Sequence, residues 1–265
     1  MLAPSTLPEK YRQWNTHHGA PGGSHVRFYR LRNALLSNEQ FQRLRGPFAV
    51  QCNSSTRAFE YPWAFEVAEV RPAMQVLEIG GGLAGFQFTL DRSGCRVVNV
   101  DPGMKTADFD WPCDEKSMTT LNRRFNTQVQ LRNTTVENAG FAEGEFDLAY
   151  SISVVEHLPP ADAASVMAQV YRCLKPGGRF ILTIDLFLNL YPFSSRTSND
   201  YGINQNIREL IAVQPWELVV GNRAELFGFA EFDRDAILSQ LETFLVSQTY
   251  PVLTQCLVLQ KPANP

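Results

Sequence analysis

The sequence predicts an α/β fold with a mostly parallel sheet, because short apolar segments of strand length alternate with segments of helix length. The alternation runs as strand Gln75–Ile79, helix Phe86–Ser93, strand Cys95–Val100, strand Gln128–Arg132, strand Phe146–Ile152, helix Pro160–Leu174 and strand Arg179–Asp185. Strands joined through helices form βαβ units, whose strands lie parallel. These observations together indicate one parallel sheet flanked by helices.

The regular alternation of strand and helix segments ends after Asp185, and it is also absent before residue 70. Residues 1–70 carry clustered aromatics and turn formers, and we interpret them as a helical N-terminal extension or lid before a main domain at 71–265. The downstream elements are an aromatic and polar stretch at Leu186–Tyr201, a helix at Asn204–Val213, a strand at Glu217–Val220, a helix at Asp233–Ser247 and a final strand at Tyr250–Gln260.

The composition excludes several classes of function. In 265 residues, 44% are hydrophobic, which suffices for a large core, and 24 basic against 27 acidic residues give a net charge of −3. No basic block is present, so nucleic acid is not an expected partner. The start MLAPSTLPEKYRQW lacks a secretory pattern, and no apolar run reaches the roughly 20 residues of a membrane span. We expect a soluble, cytoplasmic protein.

The cysteines and histidines show no metal-binding pattern. The five cysteines are widely spread without a CxxC spacing, which favours free thiols in a reducing compartment. His17 and His18 with His25 lack an acid or cysteine that completes a ligand set. We therefore predict no metal.

A glycine-rich turn follows the first strand of the main domain. Gly80, Gly82 and Gly85 satisfy GxGxxG between a strand and a helix, which lets the backbone turn tightly and approach a ligand. Asp101 follows the next strand, about twenty residues on, where a carboxylate accepts hydrogen bonds from the hydroxyls of an adenosine ribose. This pattern alone admits both nicotinamide and S-adenosylmethionine enzymes.

Glu78 favours S-adenosylmethionine over a dinucleotide. It stands two residues before the first glycine, in VLEIGGG, at the end of the strand. A carboxylate there repels a pyrophosphate, whereas S-adenosylmethionine brings an ammonium and a cationic sulfonium. The alternative for Glu78 is a surface acid that caps the turn, and for Asp101 an ordinary strand-ending turn.

The chain resembles the class I S-adenosylmethionine-dependent methyltransferases from about Met74 to Asp185. VLEIGGGLAG and VVNVDP resemble the first two motifs of that family, FDLAYSISVVEHL its fourth-strand motif, and CLKPGGRFILTID the turn and fifth strand. The resemblance implies a Rossmann-like, doubly wound, mostly parallel seven-stranded sheet with a final antiparallel strand. It also implies S-adenosyl-L-methionine as cofactor and S-adenosyl-L-homocysteine as product.

The resemblance further implies roles for several residues in binding the cofactor. Gly80 and Gly82 pack against its methionine and ribose portion, Glu78 lies near the ammonium directly or through water, and Asp101 holds the ribose. Ser151 and Ile152, at the end of the fourth strand, flank the methionine chain.

The family usually presents an acid to the adenine amino group after the third strand, and this chain has Thr135 at that position. Recognition of that edge of adenine needs one donor and one acceptor. Backbone groups of Val136 and the side chain of Glu137 or Asn138 are the candidates, with Val136 and Glu137 favoured.

Arg57 precedes the main domain in SSTRAFEYPWAFE, and two interpretations stay open. Related methyltransferases bring such a segment over the cofactor, where Arg57 pairs with the methionine carboxylate. Alternatively the segment is an amphipathic helix that packs Phe59, Trp63 and Val67, with Arg57 in solvent.

His157 is the candidate catalytic base. Methyl transfer from a sulfonium depends mainly on positioning, and a base serves acceptors such as hydroxyls. His157 lies just beyond the fourth strand, and its unperturbed pKa near 6.5 suits that role, although a histidine there also serves to bond the backbone.

The sequence favours a small-molecule acceptor, methylated at oxygen, in the tailoring of a secondary metabolite or a saccharide. Aromatic and amide side chains between Leu186 and Val213 suit a partly aromatic or glycosylated molecule. Alternatives are an NAD(P)-dependent oxidoreductase, for which no YxxxK pair is present, and a non-catalytic relative that binds S-adenosylmethionine.

Overall fold

A computed structural model describes residues 1–23, 39–51, 53–103, 113–248 and 250–263. Its strands are β1 Gln75–Ile79, β2 Arg96–Val100, β3 Gln130–Arg132, β4 Phe146–Ile152, β5 Leu174–Phe187, β6 Glu217–Val220 and β7 Val252–Gln260. Its helices are α1 Glu9–His18, α2 Glu39–Arg45, α3 Arg57–Val67, α4 Gly85–Arg92, α5 Glu115–Phe125, α6 Pro160–Cys173, α7 Ile207–Ala212 and α8 Arg234–Ser239. Single 3₁₀ turns lie at Pro47–Ala49, Val155–His157 and Leu241–Thr243.

The strands form one sheet in the order β3-β2-β1-β4-β5-β7-β6. β1 pairs with β2, β2 with β3, and β4 with β5 in parallel, whereas β7 runs antiparallel to both β5 and β6. Reversal of the strand order after β3 is the arrangement of doubly wound sheets. The predicted fold class, a mostly parallel seven-stranded sheet whose last strand is antiparallel, is therefore confirmed.

The chain divides into two compact units. One comprises Pro8–Ala139 and holds the glycine-rich turn, so it is called the glycine-turn unit below. The other comprises Met1–Leu7 with Gly140–Pro265 and is called the C-terminal unit.

The core of the glycine-turn unit forms where α4 covers its strands. Val76 and Leu77 of β1 and Phe86, Phe88 and Leu90 of α4 are all fully buried. β1 was predicted with the same bounds, and α4 begins and ends one residue earlier than predicted.

Helix α5 was not predicted. Its N-cap is Asp114, whose carboxylate accepts a hydrogen bond of 2.7 Å from the Ser117 amide and so stabilises the start of the helix. Its buried face consists of Ser117, Met118, Leu121 and Phe125. Only this narrow apolar face distinguishes the segment from a polar loop, so the pattern of apolar residues did not predict a helix here.

Residues 1–7, which the predicted helical extension includes, are not helical. The Ala3 amide donates to the Thr254 carbonyl at 3.0 Å, and Leu2 forms a bridge with Gln255 of β7. Pro4 and Pro8 lack the amide hydrogen that a helix interior needs, which favours an extended path here.

The same pairing shortens the predicted helix Asp233–Ser247. Helix α8 ends at Ser239, and the chain then forms the 3₁₀ turn at Leu241–Thr243. The Ser5 amide bonds the Thr243 carbonyl at 2.7 Å, and the Leu245 amide bonds the Ala3 carbonyl at 2.8 Å. Extended pairing with residues 3–5 thus replaces the last turns of the helix.

Within the described ranges, no helix has both the length and the apolar character needed to cross a membrane. The cysteines that the structure describes, Cys95, Cys113, Cys173 and Cys256, are free thiols, and Cys52 lies outside the described residues.

Candidate functional site

The glycine-rich turn joins β1 to α4 and is fixed mainly by its backbone amides. Gly80 and Gly82 have φ of 67° and 53°, a region that residues with a Cβ rarely adopt. The Gly80 amide donates to the Val100 carbonyl at 2.8 Å, and the Gly82 amide donates to Asp101 Oδ2 at 2.9 Å. The turn is therefore tied to the end of β2.

The side chain of Asn99 also links the glycine-rich turn to β2, and the sequence did not predict this role. Its buried side chain accepts from the Gly81 amide at 3.1 Å and donates to the Gly82 carbonyl at 2.9 Å. One amide side chain thus satisfies a donor and an acceptor on adjacent residues. A polar residue inside the apolar strand RVVNV was the available signal.

Gly81 leaves room for the Glu78 side chain. A Cβ at residue 81 would stand 2.7 Å from Glu78 Cδ and 2.9 Å from Oε1, which is closer than carbon atoms approach without displacement. The acid therefore folds against the turn, instead of pointing into solvent as a surface cap would.

Glu78 is a buried acid of β1. Its side chain is 2% exposed, and among the described residues no group bonds Oε2. Burial, together with the nearby Asp101 carboxylate, raises the pKa of Glu78 to about 8. A cation placed against Oε2 would satisfy this carboxylate and favour its ionised form.

Asp101 is oriented by two backbone amides. Oδ1 accepts from the Gly103 amide at 2.8 Å and Oδ2 from the Gly82 amide at 2.9 Å. A carboxylate offers about four lone-pair positions, so each oxygen keeps capacity for a further donor. The half-buried side chain is therefore held in place while it can still accept from ligand hydroxyls.

The predicted adenine loop follows β3 in the same unit. Thr135 and Glu137 are exposed, whereas Val136 is 2% exposed. The Asn138 amide bonds the Thr135 carbonyl at 3.1 Å, and its side chain donates to Thr135 Oγ1 at 3.1 Å. Asn138 thus closes the turn.

A segment before α3 packs on the glycine-rich turn, and sequence reasoning overlooked it. Phe48 occupies the space beside Gly85, where a Cβ would stand 2.6 Å from Phe48 Cδ1. The Leu83 amide donates to Gln51 Oε1 at 3.1 Å. The third glycine of GxGxxG therefore admits an aromatic ring from upstream in the chain.

Arg57 lies at the start of α3 and pairs with Glu60. Its side chain is 18% exposed, and Glu60 is fully buried. Phe59 and Trp63 of the same helix are buried. The helix is packed, as one of the two interpretations expected, but Arg57 is largely covered and ion-paired, not in solvent.

Ser151 and Ile152 end β4 in the C-terminal unit. Ser151 is fully buried and Ile152 is 8% exposed. Among the described residues, no group bonds Ser151 Oγ. A buried hydroxyl at the carboxyl end of a parallel strand stands where doubly wound proteins bind ligands.

His157 ends the 3₁₀ turn after β4, and its ring is exposed. Nδ1 bonds the Tyr201 carbonyl oxygen. A carbonyl oxygen only accepts, so the bond requires a proton on Nδ1 and leaves the lone pair of the neutral ring on Nε2. The histidine thus bonds the backbone and also presents a basic nitrogen.

Polar groups connect the strand ends near Tyr201. The Tyr201 and Tyr250 rings stack at 4.4 Å with an interplanar angle of 16°. Tyr250 donates to Asp185 Oδ2 at 3.1 Å, and Ser153 Oγ lies 3.4 Å from Asp185 Oδ1. The strand-end array, as the group is called below, consists of Ser153, His157, Asp185, Tyr201 and Tyr250.

The N-terminal histidines do not form a metal site in the described part of the chain. The His17 and His18 rings contact each other at 4.6 Å, and His25 lies outside the described residues. No group of three or more His, Cys, Asp or Glu side chains suited to a metal occurs among the residues that were described.

The geometry fits the amino-acid and ribose portions of S-adenosylmethionine. Glu78 offers an unsatisfied buried oxygen to an ammonium group, and Asp101 offers oriented oxygens to ribose hydroxyls. Gly82 presents a left-handed backbone without a Cβ between them.

Comparison with known proteins gives a family for the central part of the chain. Residues 77–182 match the model of a family described as methyltransferase domain. An uncharacterised methyltransferase of Synechocystis is 28% identical over 49% of this chain and 66% of its own length. The ubiquinone biosynthesis O-methyltransferase of Hahella chejuensis is 33% identical over 40% of this chain and 41% of its own length. The chain thus spans less than two thirds of these relatives.

A solved structure of similar fold covers nearly the whole chain. It is the Burkholderia thailandensis 1,6-didemethyltoxoflavin-N1-methyltransferase, bound to 1,6-didemethyltoxoflavin and S-adenosylhomocysteine. It is 17% identical, has a TM-score of 0.51, and the match covers 98% of this chain and 95% of the other. At this identity the likeness concerns the fold.

Proposed function

We propose that the chain, whose residues 77–182 match a methyltransferase domain, acts as a class I S-adenosylmethionine-dependent methyltransferase and methylates a hydroxyl oxygen of a small molecule. The observation that carries the cofactor part is Glu78, a buried acid with one unsatisfied oxygen beside the glycine-rich turn. Its chemistry suits the cationic amino-acid end of S-adenosylmethionine and disfavours a pyrophosphate.

Each cofactor-binding residue has a separate task in this proposal. Glu78 takes the ammonium group, Asp101 takes the ribose hydroxyls, and the backbone at Gly80 and Gly82 lies against the ligand. Thr135, Val136 and Glu137 surround the adenine, and backbone groups of Val136 and the side chain of Glu137 supply its hydrogen bonds. Ser151 and Ile152 lie along the methionine chain, where the Ser151 hydroxyl supplies a polar contact.

The preference for oxygen rests on His157. When bound, the sulfonium supplies an electrophilic methyl group, and the protein must align the acceptor with it. An alcohol or phenol also has to lose its proton. The Tyr201 carbonyl keeps the proton of His157 on Nδ1, so Nε2 is ready to accept the proton from an acceptor hydroxyl.

The acceptor is a small molecule with at least one planar or ring face. The exposed Tyr201 ring, backed by Tyr250, offers an aromatic surface beside His157. Aromatic faces stack against planar groups and also against the faces of sugars. The named relatives include an O-methyltransferase and an N-methyltransferase, so the oxygen assignment depends on the histidine.

Two measurements test this proposal in sequence. Titration calorimetry with S-adenosylhomocysteine and, separately, with NAD tests the cofactor, and we expect saturable binding only of the first. Turnover is then followed as S-adenosylhomocysteine release with a panel of phenols, flavonoids, glycosides and matched amines. Release only with amines would contradict the oxygen assignment, and binding without any release would favour a non-catalytic relative.

A further inference from the structure

Gln51 lies over the glycine-rich turn with its side-chain amide in a defined orientation. Oε1 accepts from the Leu83 amide at 3.1 Å. A Cβ at Gly82 would stand 3.4 Å from Oε1 and 3.9 Å from Nε2, so the amide covers the bare face of that glycine. A backbone N–H only donates, which requires that oxygen, not nitrogen, faces Leu83.

This orientation leaves the NH₂ group of Gln51 available. Among the described residues, no acceptor bonds Nε2, whereas the backbone carbonyl of Gln51 accepts from Asn53 Nδ2 at 2.7 Å. An amide nitrogen carries two donors. Gln51 therefore presents two hydrogen-bond donors next to Gly82.

The residues on both sides of Gln51 in the chain are packed or hydrogen-bonded. Phe48 packs beside Gly85, as described above. On the other side Tyr61 donates to Asn53 Oδ1 at 3.0 Å and stacks on the buried Phe86 ring at 5.3 Å. Burial raises the pKa of Tyr61, so its hydroxyl keeps the proton that it donates. The segment that carries Gln51 is thus anchored on both sides.

One charged group of the proposed cofactor has not yet been assigned a binding residue. Glu78 accounts for the ammonium and Asp101 for the ribose, but the carboxylate of the amino-acid portion still needs donors. Arg57 is largely covered and already directs its charge toward the buried Glu60. Gln51 offers neutral donors at the glycine-rich turn.

We infer that Gln51 Nε2 donates to the amino-acid carboxylate of S-adenosylmethionine and thereby positions the methionine end of the cofactor. This inference rests on the proposed function, since it requires that the cofactor binds at the glycine-rich turn. It assigns Gln51 a role that the sequence motifs do not indicate, because Gln51 precedes the matched domain by 26 residues of chain.

Two ligands that differ only at the amino-acid end test the inference. S-adenosylhomocysteine has the carboxylate, and 5′-methylthioadenosine has the same nucleoside without the amino-acid portion. Gln51→Leu removes the donors, and Gln51→Glu keeps an oxygen toward Leu83 but places an anion near the carboxylate. Hydrogen bonds to charged groups contribute enough that we expect S-adenosylhomocysteine affinity to fall roughly tenfold or more in Gln51→Leu, and further in Gln51→Glu.

The affinity for 5′-methylthioadenosine should stay within about threefold in both variants, because no lost contact involves the nucleoside. Gln13→Leu, at an exposed glutamine of α1, is the matched control and should change neither affinity. Unchanged S-adenosylhomocysteine affinity, or an equal loss for both ligands, would overturn the role of Gln51. Failure of the unmodified protein to bind either ligand would instead overturn the proposed function, and the inference with it.

Discussion

The two units of the molecule arrange their polar groups in different ways. In the glycine-turn unit, side chains such as Asn99 and Asp101 bond backbone amides that lie 18 and 19 residues away. In the C-terminal unit, the strand-end array joins groups that are further apart in sequence, 44 residues for His157 with Tyr201 and 65 for Tyr250 with Asp185. The first arrangement lies within one βαβ unit, and the second depends on longer connections of the chain.

The difference has a physical origin. A turn fixed by nearby strand ends tolerates little variation, because each backbone donor must find its partner within one βαβ unit. An array built by long connections can change with any loop insertion while the sheet persists. We therefore expect substitutions in the first unit to affect cofactor affinity, and substitutions in the second to affect turnover.

The largest expected effect is on turnover in the C-terminal unit. His157→Ala removes the proposed base, and the rate with a hydroxyl acceptor from the panel should fall by roughly 10²- to 10⁴-fold. The affinity for S-adenosylhomocysteine, measured by calorimetry, should not change. His17→Ala, at an exposed histidine of α1, is the control. Unchanged turnover would mean that His157 is not the base and that its role is the hydrogen bond to the Tyr201 carbonyl.

The next effect concerns cofactor affinity in the glycine-turn unit. Asp101→Ala removes the oxygens proposed for the ribose and frees the Gly82 and Gly103 amides. Affinity for S-adenosylhomocysteine should fall on the order of a hundredfold, since two charge-assisted hydrogen bonds are lost. Asp162→Ala, an exposed acid of α6, should bind normally. Undiminished affinity in Asp101→Ala would contradict the ribose assignment.

A smaller effect should appear in stability. Asn99→Ala leaves the Gly81 amide and the Gly82 carbonyl without the partner that they share. We expect the free energy of unfolding to drop by about 2–4 kcal/mol, which urea denaturation measures. Asn222→Ala, at an exposed loop position, should cost roughly 0.5 kcal/mol or less. Equal losses in both variants would mean that Asn99 does not support the turn.

The last expected effect is a dependence of stability on pH. The pKa of Glu78 rises from 4.5 to about 8 on folding, so between these values the folded state holds a proton that the unfolded state has released. Stability of the ligand-free protein should therefore fall as pH rises from about 5 to about 8, and Glu78→Gln should reduce that slope.

Ligand binding should show the opposite trend with pH. The ammonium of S-adenosylhomocysteine favours the ionised form of Glu78, so affinity should increase as pH approaches 8. Calorimetry in buffers of different ionisation enthalpy measures the proton released on binding. An affinity of the unmodified protein that does not change with pH would contradict the proposed contact between Glu78 and the ammonium.

The sequence predicted the sheet well because its strands are short apolar segments bounded by recognisable turns. β1, β4 and β6 have the predicted bounds. By contrast β5 begins five residues earlier than predicted, at Leu174, since Lys175–Gly178 continues the strand instead of forming only a turn. Residues 1–7 escaped prediction because their partner is β7, at the far end of the sequence, and pairing at such distance has no local signal.

The candidate site was predicted where its contacts are local. Glu78, Gly80, Gly82 and Asp101 occupy motif positions, and their geometry within one unit agrees with a common ligand site. Gln51 was missed as a candidate for that site because its contact with the turn depends on packing of an upstream segment. The ligand-binding and catalytic roles of all the predicted site residues stay predictions: Arg57, Glu78, Gly80, Gly82, Asp101, Thr135, Val136, Glu137, Ser151, Ile152 and His157.

Gly81 lies outside the GxGxxG spacing, yet the burial of Glu78 depends on it. An alanine at residue 81 would collide with the acid, whereas the same alanine beside a shortened residue 78 would find space. The two positions should therefore vary together among natural sequences, with a bulkier residue at 81 accompanied by a smaller residue at 78. Gly81, which is not part of the GxGxxG motif, thus permits the Glu78 side chain to lie inside the turn.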